Sequence, residues 1–377
     1  MRIIHLSDTH LGAGGVSRKV SPSGINQREE DIGNSFIGAL DQIIEIKPDL
    51  VIHSGDLFNS VRPTNRIINL AIRQLLRLTS ISIPVIIISG NHDTPKQRGI
   101  GSIFSFFEVF PGLRLVYQDR YEKIRIKDLA VHSVPHCLSP ATFQSELEKI
   151  EIDKETRFNV LILHGVVSGI KEFSMGELAE LEIPSSLFKK GFDYVALGHY
   201  HRYTQVEENV YYAGSTERIT MAELGQEKGF VEFDLLSKKV NFHKVPTRPM
   251  IDLPSVNAEG KDQEQILVEI EKLLEQNDIK DKIVRLRVAQ IPAYVYNSLN
   301  FRKLSELKAQ AFYLDLKFEK KEEKETDFST QTSIGKLTEE FNQYLKEYIV
   351  EDLKREKLQE LGLKYLSEKR GEEDQGV

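Results

Sequence analysis

The chain has 377 residues, 40% hydrophobic and 28% charged, with a formal net charge of −7 and a single cysteine, Cys137. One cysteine excludes an intrachain disulfide or a cysteine-rich metal site, and no apolar run reaches the ~18 residues that cross a bilayer. The N-terminus is too short in apolar residues for a signal peptide, so the expected compartment is cytoplasmic, with no membrane contact. The acidity is uneven: residues 1–249 hold 29 Lys/Arg against 30 Asp/Glu, and residues 250–377 hold 21 against 27. A nucleic-acid partner therefore remains open for the first two thirds.

In chain order, RIIHL (2–6) reads as a buried strand and runs into SDTH, which carries Asp8 and His10. A helical pattern at 34–46 follows, then LVIHS (50–54), which runs into Asp56 of the GD pair. A second helical pattern spans 63–79. PVIIIS (84–89) leads to GNHD, with Asn91, His92 and Asp93; NVLIL (159–163) ends at His164; DYVAL (193–197) leads to GHYH, with His199 and His201. This alternation argues for α/β architecture with helices packed on a sheet sandwich. Pro246 and Pro249 mark a boundary. Beyond it, helices at 262–276 and 298–310 and alternating strands IVRLRVAQI and FYLDLKF make 250–318 a small α+β domain. The charged stretch 319–333 reads as a linker, and apolar residues at helical spacing make 334–377 a helical tail.

Every one of the five strands delivers a metal-competent side chain at its C-terminal end, the edge where open α/β sheets bind ligands. Asp8 with His10 and His199 with His201 are i, i+2 pairs, so each pair is expected to address one site if the strand direction persists. Setting His92 aside, Asp8, His10, Asp56, Asn91, His164, His199 and His201 are too many donors for one tetrahedral ion. They suit two ions of five or six coordination sharing a carboxylate. Carboxylate, amide and imidazole donors without thiolate favour two Mn²⁺, with Fe or Zn as alternatives and Mg²⁺ less suited. Such a pair, ~3.5–4 Å apart, activates a bridging water and stabilises the attacking and leaving oxygens of an in-line phosphoryl displacement. Any one of these residues could be an ordinary cap or turn residue; five ligand-bearing strand ends in a row are hard to assign to chance. His5 and His53, inside strands, read as structural; Pro135 argues against a helical ligand pair of His132 and His136, and His243 reads as a surface residue.

SDTHLG, SGDLF, SGNHD, ILHG and LGHYH, in this order and spacing, resemble the calcineurin-like metallophosphoesterases. HLSDTHLG, HSGDLFNSVRPT, GNHDTP and YYAGSTER resemble one branch, the SbcD nucleases and their eukaryotic meiotic-recombination homologue, which process DNA breaks. The motif resemblance covers 1–249; 250–318 and the tail match in layout. It implies a two-sheet α/β sandwich metallophosphoesterase domain, a DNA-capping domain at 250–318, a linker at 319–333 and an ATPase-binding helical element at 334–377. It implies that Asp8, His10 and His201 hold one ion and Asn91, His164 and His199 the other, with Asp56 bridging. His92 becomes the catalytic histidine that protonates the leaving oxygen, with Asp93 orienting it. Asn59 stands where archaeal and eukaryotic relatives carry a further active-site histidine.

A DNA substrate needs separate support. On a helix advancing ~100° per residue, Arg62, Arg66, Arg73 and Arg77 fall on one stripe, with Arg98 nearby and Arg218 in GSTER as a further phosphate contact. A solvated helix face is the alternative. Ile67, Ile68, Ala71, Ile72 and Leu75 line the opposite face. The resemblance makes this region and GSIFSFFEVF (101–110) a homodimer interface, and the tail a docking element for an SbcC-type SMC-like ATPase. The implied activity is a Mn²⁺-dependent DNA nuclease, a 3′–5′ exonuclease on duplex ends and an endonuclease on single strands and hairpins, serving break repair. Other phosphodiesterases of the superfamily, acting on nucleotides or phosphoproteins, should lack the arginine stripe, cap and tail. A non-catalytic scaffold should have lost donors, and none of the seven is missing.

Overall fold

The computed structural model describes residues 1–15, 17, 19–176, 180–321, 341, 345 and 357–362. The chain divides into two compact units, Met1–Glu319 and Lys320–Val377. Strand β1 (Arg2–Leu6) leads through helix α1 (Gln27–Ile46) to β2 (Leu50–His53), α2 (Asn65–Thr79), β3 (Val85–Ile88) and β4 (Leu113–Val116). Then come β5 (Glu122–Ile126), β6 (Leu129–Val134), α3 (Pro140–Glu148), β7 (Phe158–His164), the short β8 (Val166–Val167) and β9 (Glu182–Ile183), and β10 (Tyr194–Gly198). Strands β11 (Thr204–Glu207), β12 (Val210–Tyr212), β13 (Gly229–Asp234) and β14 (Val240–Lys244) complete two six-stranded sheets. Their orders are β14-β13-β1-β2-β3-β4 and β11-β12-β10-β7-β6-β5.

Alternation along the strands decides the layering. Ile3, Ile52 and Ile86 point inward from the first sheet and meet Val131, Ile162 and Ala196 of the second. Their neighbours Ile4, Val51 and Ile87 point the other way, onto Phe36 and Leu40 of α1 and Ala71 and Leu75 of α2. Leu161, Leu163 and Val195 do the same against Phe143 and Leu147 of α3. The result is a helix–sheet–sheet–helix sandwich, in which each fully buried Ile or Leu contributes about 1.5–3 kcal/mol by leaving water.

Two helices begin elsewhere than their apolar pattern suggests. The Asn26 side chain accepts from the Arg28 and Glu29 amides, so α1 starts two turns before residue 34. Thr64 caps α2, which leaves Arg62 outside the helix. The apolar run at 101–110 is a short 3-10 turn, Ile103–Phe107: Phe104 and Phe107 enter the core, while Phe106 and Val109 remain exposed at 66% and 76%.

After Pro249 a further sheet forms from β15 (Met250–Asp252), β16 (Val256–Asn257), β17 (Ile283–Ile291) and β18 (Tyr313–Lys320), with α4 (Gln263–Glu275), α5 (Ala293–Ser298) and α6 (Phe301–Lys308). The helix expected at 298–310 is α6, which begins at Phe301 because Asn300 caps it through the Lys303 amide, and the short α5 precedes it. This part has its own core, including Ile266, Ile270, Val284 and Leu286. It is fastened to the sandwich by Arg248, whose guanidinium pairs with both oxygens of Asp31 (2.5 and 2.7 Å) and lies 4.0 Å over the Phe312 ring. Of the expected linker at 319–333 and helical element at 334–377, nearly all lies outside the described residues; 357–362 is helical. Among the described residues no helix is long and apolar enough to cross a membrane.

Candidate metal centre

Strands β1, β2 and β3 are parallel neighbours in one sheet, and β7 and β10 are parallel neighbours in the other. Their C-terminal ends meet at one edge of the sandwich, where all seven expected donors converge. Asp8, His10 and His201 form one group of donor atoms lying within 4.8 Å of one another, and Asp8, Asp56 and His164 form a second. His10 Nε2 is 3.0 Å from His201 Nε2. Asp56 Oδ2 faces both ways, 3.7 Å from His10 Nε2 and 3.4 Å from His164 Nε2. Asn91 Oδ1 lies 2.9 Å from His164 Nε2 and 3.3 Å from His199 Nδ1.

The pairing of donors departs from simple strand geometry. Asp8 and His10 do act together, but in a loop after β1 with left-handed backbone (φ 48° and 44°). His199 and His201 diverge: the first turns to Asn91 and the second to His10, because His199 takes a positive φ of 104° that breaks the strand direction. Glycine is needed where these loops touch. A Cβ on Gly90 would lie 2.1 Å from Asp56 Oδ1, and one on Gly55, itself at φ +102°, would lie 2.3 Å from His164 Nδ1.

Burial and mutual charge set the protonation of the cluster. Burial pushes His10 well below the usual imidazole range, leaving a neutral ring. Burial also raises the Asp8 carboxyl. For Asp56, burial is outweighed by His164 and His10, and the carboxyl falls well below its ordinary value. His164 shows the reverse balance: burial opposes its charge, yet Asp56 and Asp8 lift it to about 9. The protein alone thus holds a proton at a place where negative charge converges, and a cation can take that proton's role. A further observation fits metal ions: the donors are carboxylate, amide and imidazole throughout.

Several ring orientations are set from behind. His164 Nδ1 donates to the Ser54 carbonyl (2.8 Å). His201 Nδ1 faces Glu223 Oε1 (3.2 Å), and His199 Nε2 faces Glu180 Oε1 (3.0 Å). Neither Glu180 nor Glu223 was singled out in the sequence; Thr220-Met-Ala-Glu223 does carry the T-x-x-E spacing of a capping box, which the structure contains.

His92 lies beside the donors, its ring centroid 4.7 Å from that of His10, and it forms a third donor group with His10 and Asp56. Its amide donates to Asp56 Oδ1 and its Nδ1 faces the Asn59 carbonyl at 3.1 Å. Among the described hydrogen bonds, Asp93, expected to orient this ring, makes none to it. Its carboxylate accepts from the Leu57, Phe58 and Gly90 amides, tying the second and third strand-end loops together. Burial and the nearby Asp56 raise its carboxyl to about 7. A cavity of about 1020 Å³ opens at His92 and Asn91, lined also by Asn59, Lys96, Ile100 and Leu138.

The arginines are more committed than expected. Only Arg66, Arg73 and Arg77 share α2, since Arg62 precedes it. Arg66 pairs with Glu29 and Arg77 with Asp41 (2.5 Å), while Arg73 donates to Asn69. Arg218, expected as a further phosphate contact, is half-buried and donates to the Gln226 and Arg248 carbonyls and Thr247 Oγ1. The Arg98 side chain lies outside the described residues. His5 is structural, facing Tyr194 OH and Ser54 Oγ.

Residues 1–203 match the family model described as calcineurin-like phosphoesterase. Among curated proteins the chain is similar to "DNA double-strand break repair protein Mre11" of Methanococcus maripaludis, 32% identical over 238 residues, 60% of each chain. The protein of that name from Saccharolobus solfataricus is 34% identical over 251 residues, covering 65% of this chain and 61% of the relative. That of Thermoplasma acidophilum is 27% identical over 293 residues, 74% of this chain and 73% of the relative. The chain thus covers about three fifths of the length of the first two relatives.

Proposed function

This chain belongs to the calcineurin-like phosphoesterase family, and from that premise we propose that it is a Mn²⁺-dependent DNA nuclease of the SbcD and Mre11 kind. The observation that carries the proposal is the meeting of seven donors around Asp56, beside a roomy cavity that opens at His92. The curated relatives, all named for double-strand break repair, support DNA as the substrate.

In this reading Asp8, His10 and His201 would hold one ion, Asn91, His164 and His199 would hold the other, and Asp56 would serve both. When bound, the ions supply an activated water and neutralise the phosphate charge that grows during in-line displacement. The chain's own part is orientation and proton transfer. The Asn59 carbonyl accepts from His92 Nδ1–H, which would leave Nε2, when protonated, to give its proton to the leaving oxygen. The leaving strand departs as an alcohol and the other product keeps the phosphate.

The activities assigned are 3′–5′ exonuclease on duplex ends and endonuclease on single strands and hairpins. Residues 250–318 serve as a cap over DNA, the exposed Phe106 and Val109 join α2 in a homodimer face, and the C-terminal helices dock an SbcC-type ATPase. The protein acts in the cytoplasm, on the nucleoid. Mn²⁺-dependent cleavage of end-labelled duplex and hairpin DNA, compared with a small phosphodiester, tests this: DNA cleavage is expected, and turnover of the small ester alone would overturn the nuclease reading in favour of a nucleotide or phosphoprotein hydrolase. A pull-down of the ATPase with the chain truncated at 325 tests docking, and retained binding would refute it.

A further inference from the structure

Among the described contacts, His201 is held at both its ring and its backbone. Its Nδ1 lies 3.2 Å from Glu223 Oε1, and its carbonyl accepts from the Ser215 amide (3.0 Å) and from Lys228 Nζ (2.8 Å). Glu223 and Lys228 are each only 2% exposed, and Lys228 Nζ also donates to Glu223 Oε2 and Ser215 Oγ. The Ile219 and Thr220 amides reach Glu223 Oε1, at 3.2 Å each. One buried ion pair therefore holds both the ring and the backbone of a single histidine.

We propose that Glu223, braced by Lys228, is a positioning residue that fixes His201 as a donor to the ion shared with Asp8 and His10. This rests on the two-ion reading of the site. An ionised carboxylate can only accept, so it requires the proton on His201 Nδ1 and leaves the Nε2 lone pair facing His10 and Asp8. Lys228 offsets the charge that Glu223 brings so near to other carboxylates. It also stops the His201 carbonyl from moving, so ring angle and backbone are set together. A buried ion pair is seldom the most stable filling for its volume, so stability alone does not account for one placed directly behind a donor. The brace belongs to one half of the site: Asn91, His164 and His199 make no contact with Glu223 or Lys228 among the described hydrogen bonds.

The test is titration calorimetry of the full-length chain with Mn²⁺. Wild type should bind two ions. Glu223→Gln should weaken one of them by about 10–100-fold and leave the other within about twofold, the usual range for loss of a partner behind a ligand. The melting temperature of the metal-free variant is read alongside. Should Glu223→Gln fail to fold because Lys228 is left unpaired, the neutral pair Glu223→Gln with Lys228→Met serves, and the same selective loss is expected. Two ions bound by either folded variant as tightly as by wild type would overturn the proposal. Wild type that takes up no Mn²⁺ would instead sink the metal reading itself, and wild type that binds two ions without cutting DNA would sink only the nuclease reading.

Discussion

His199 and His201 leave the same strand end two residues apart, yet they are held in opposite senses. His201 turns Nε2 to the cluster and is backed at Nδ1 by Glu223, whose side chain is 3% exposed. His199 turns Nδ1 to Asn91 and is backed at Nε2 by Glu180, whose side chain is 15% exposed. Glu223 is neutralised by the buried Lys228, whereas Glu180 also accepts from the Met175 amide and Ser174 Oγ in the loop before β9. One donor is anchored in a closed, charge-compensated interior, the other against a loop. The ion held through His201 should therefore depend on the more deeply buried of the two carboxylates.

The largest expected effect treats both halves alike. His92→Gln should reduce DNA cleavage by about 10²–10⁴-fold, the range of a lost proton donor, with two Mn²⁺ still bound; a parallel loss of metal would recast His92 as a donor. His164→Ala should separate the halves, leaving one ion in calorimetry and native mass spectrometry, with far-UV circular dichroism unchanged. A finer measure is Glu180→Gln against Glu223→Gln. Replacing the partly exposed carboxylate should weaken its ion by less than about tenfold, because water can substitute there. An equal or greater loss would break the contrast between the two histidines.

The smallest effect concerns pH. Asp31 pairs with Arg248 and Arg28 near Glu217, at the start of the loop that carries Glu223. Burial opposes its charge, but hydrogen bonds from Arg248 and Arg28 prevail and lower its carboxyl. A carboxyl depressed on folding adds stability that is whole above the unfolded value, about 4, and is lost as pH falls through the folded one. Thermal melting should show a loss below about pH 4 that Asp31→Asn removes, at a cost at neutral pH of about 1 kcal/mol, or roughly 2–4 °C. An unchanged acid limb in that variant would mean that the pair does not stabilise this side.

How far the site was legible follows from the same contrast. The seven donors and His92 could be read because each follows an Ile- and Val-rich run, so strand end and ligand coincide in sequence. What holds them could not. Ser54 and Asn59 act through backbone carbonyls, which no side-chain pattern announces. Glu223 and Lys228 lie in a charged stretch that looks solvated, and only the T-x-x-E spacing marks a cap there. The paired arginines failed for a related reason: helical spacing put Arg66 and Arg77 on a face but says nothing of what crosses from a neighbouring helix, and their partners Glu29 and Asp41 come from α1, Glu29 from a first turn too polar to read as helix. Edge strands such as β5, with its EKIRI, were missed because neither face is fully buried.

Asp8, His10, Asp56 and His199 all sit at positive φ, between 44° and 104°, where residues other than glycine are strained. At on the order of 1 kcal/mol each, these four positions subtract from a net stability that in a typical domain is only about 5–15 kcal/mol. Holding these four donors in their loops thus works against the stability of the fold. A lineage released from the need to bind metal would gain by admitting glycine or asparagine at these loops, so the motif should erode quickly wherever the activity is lost.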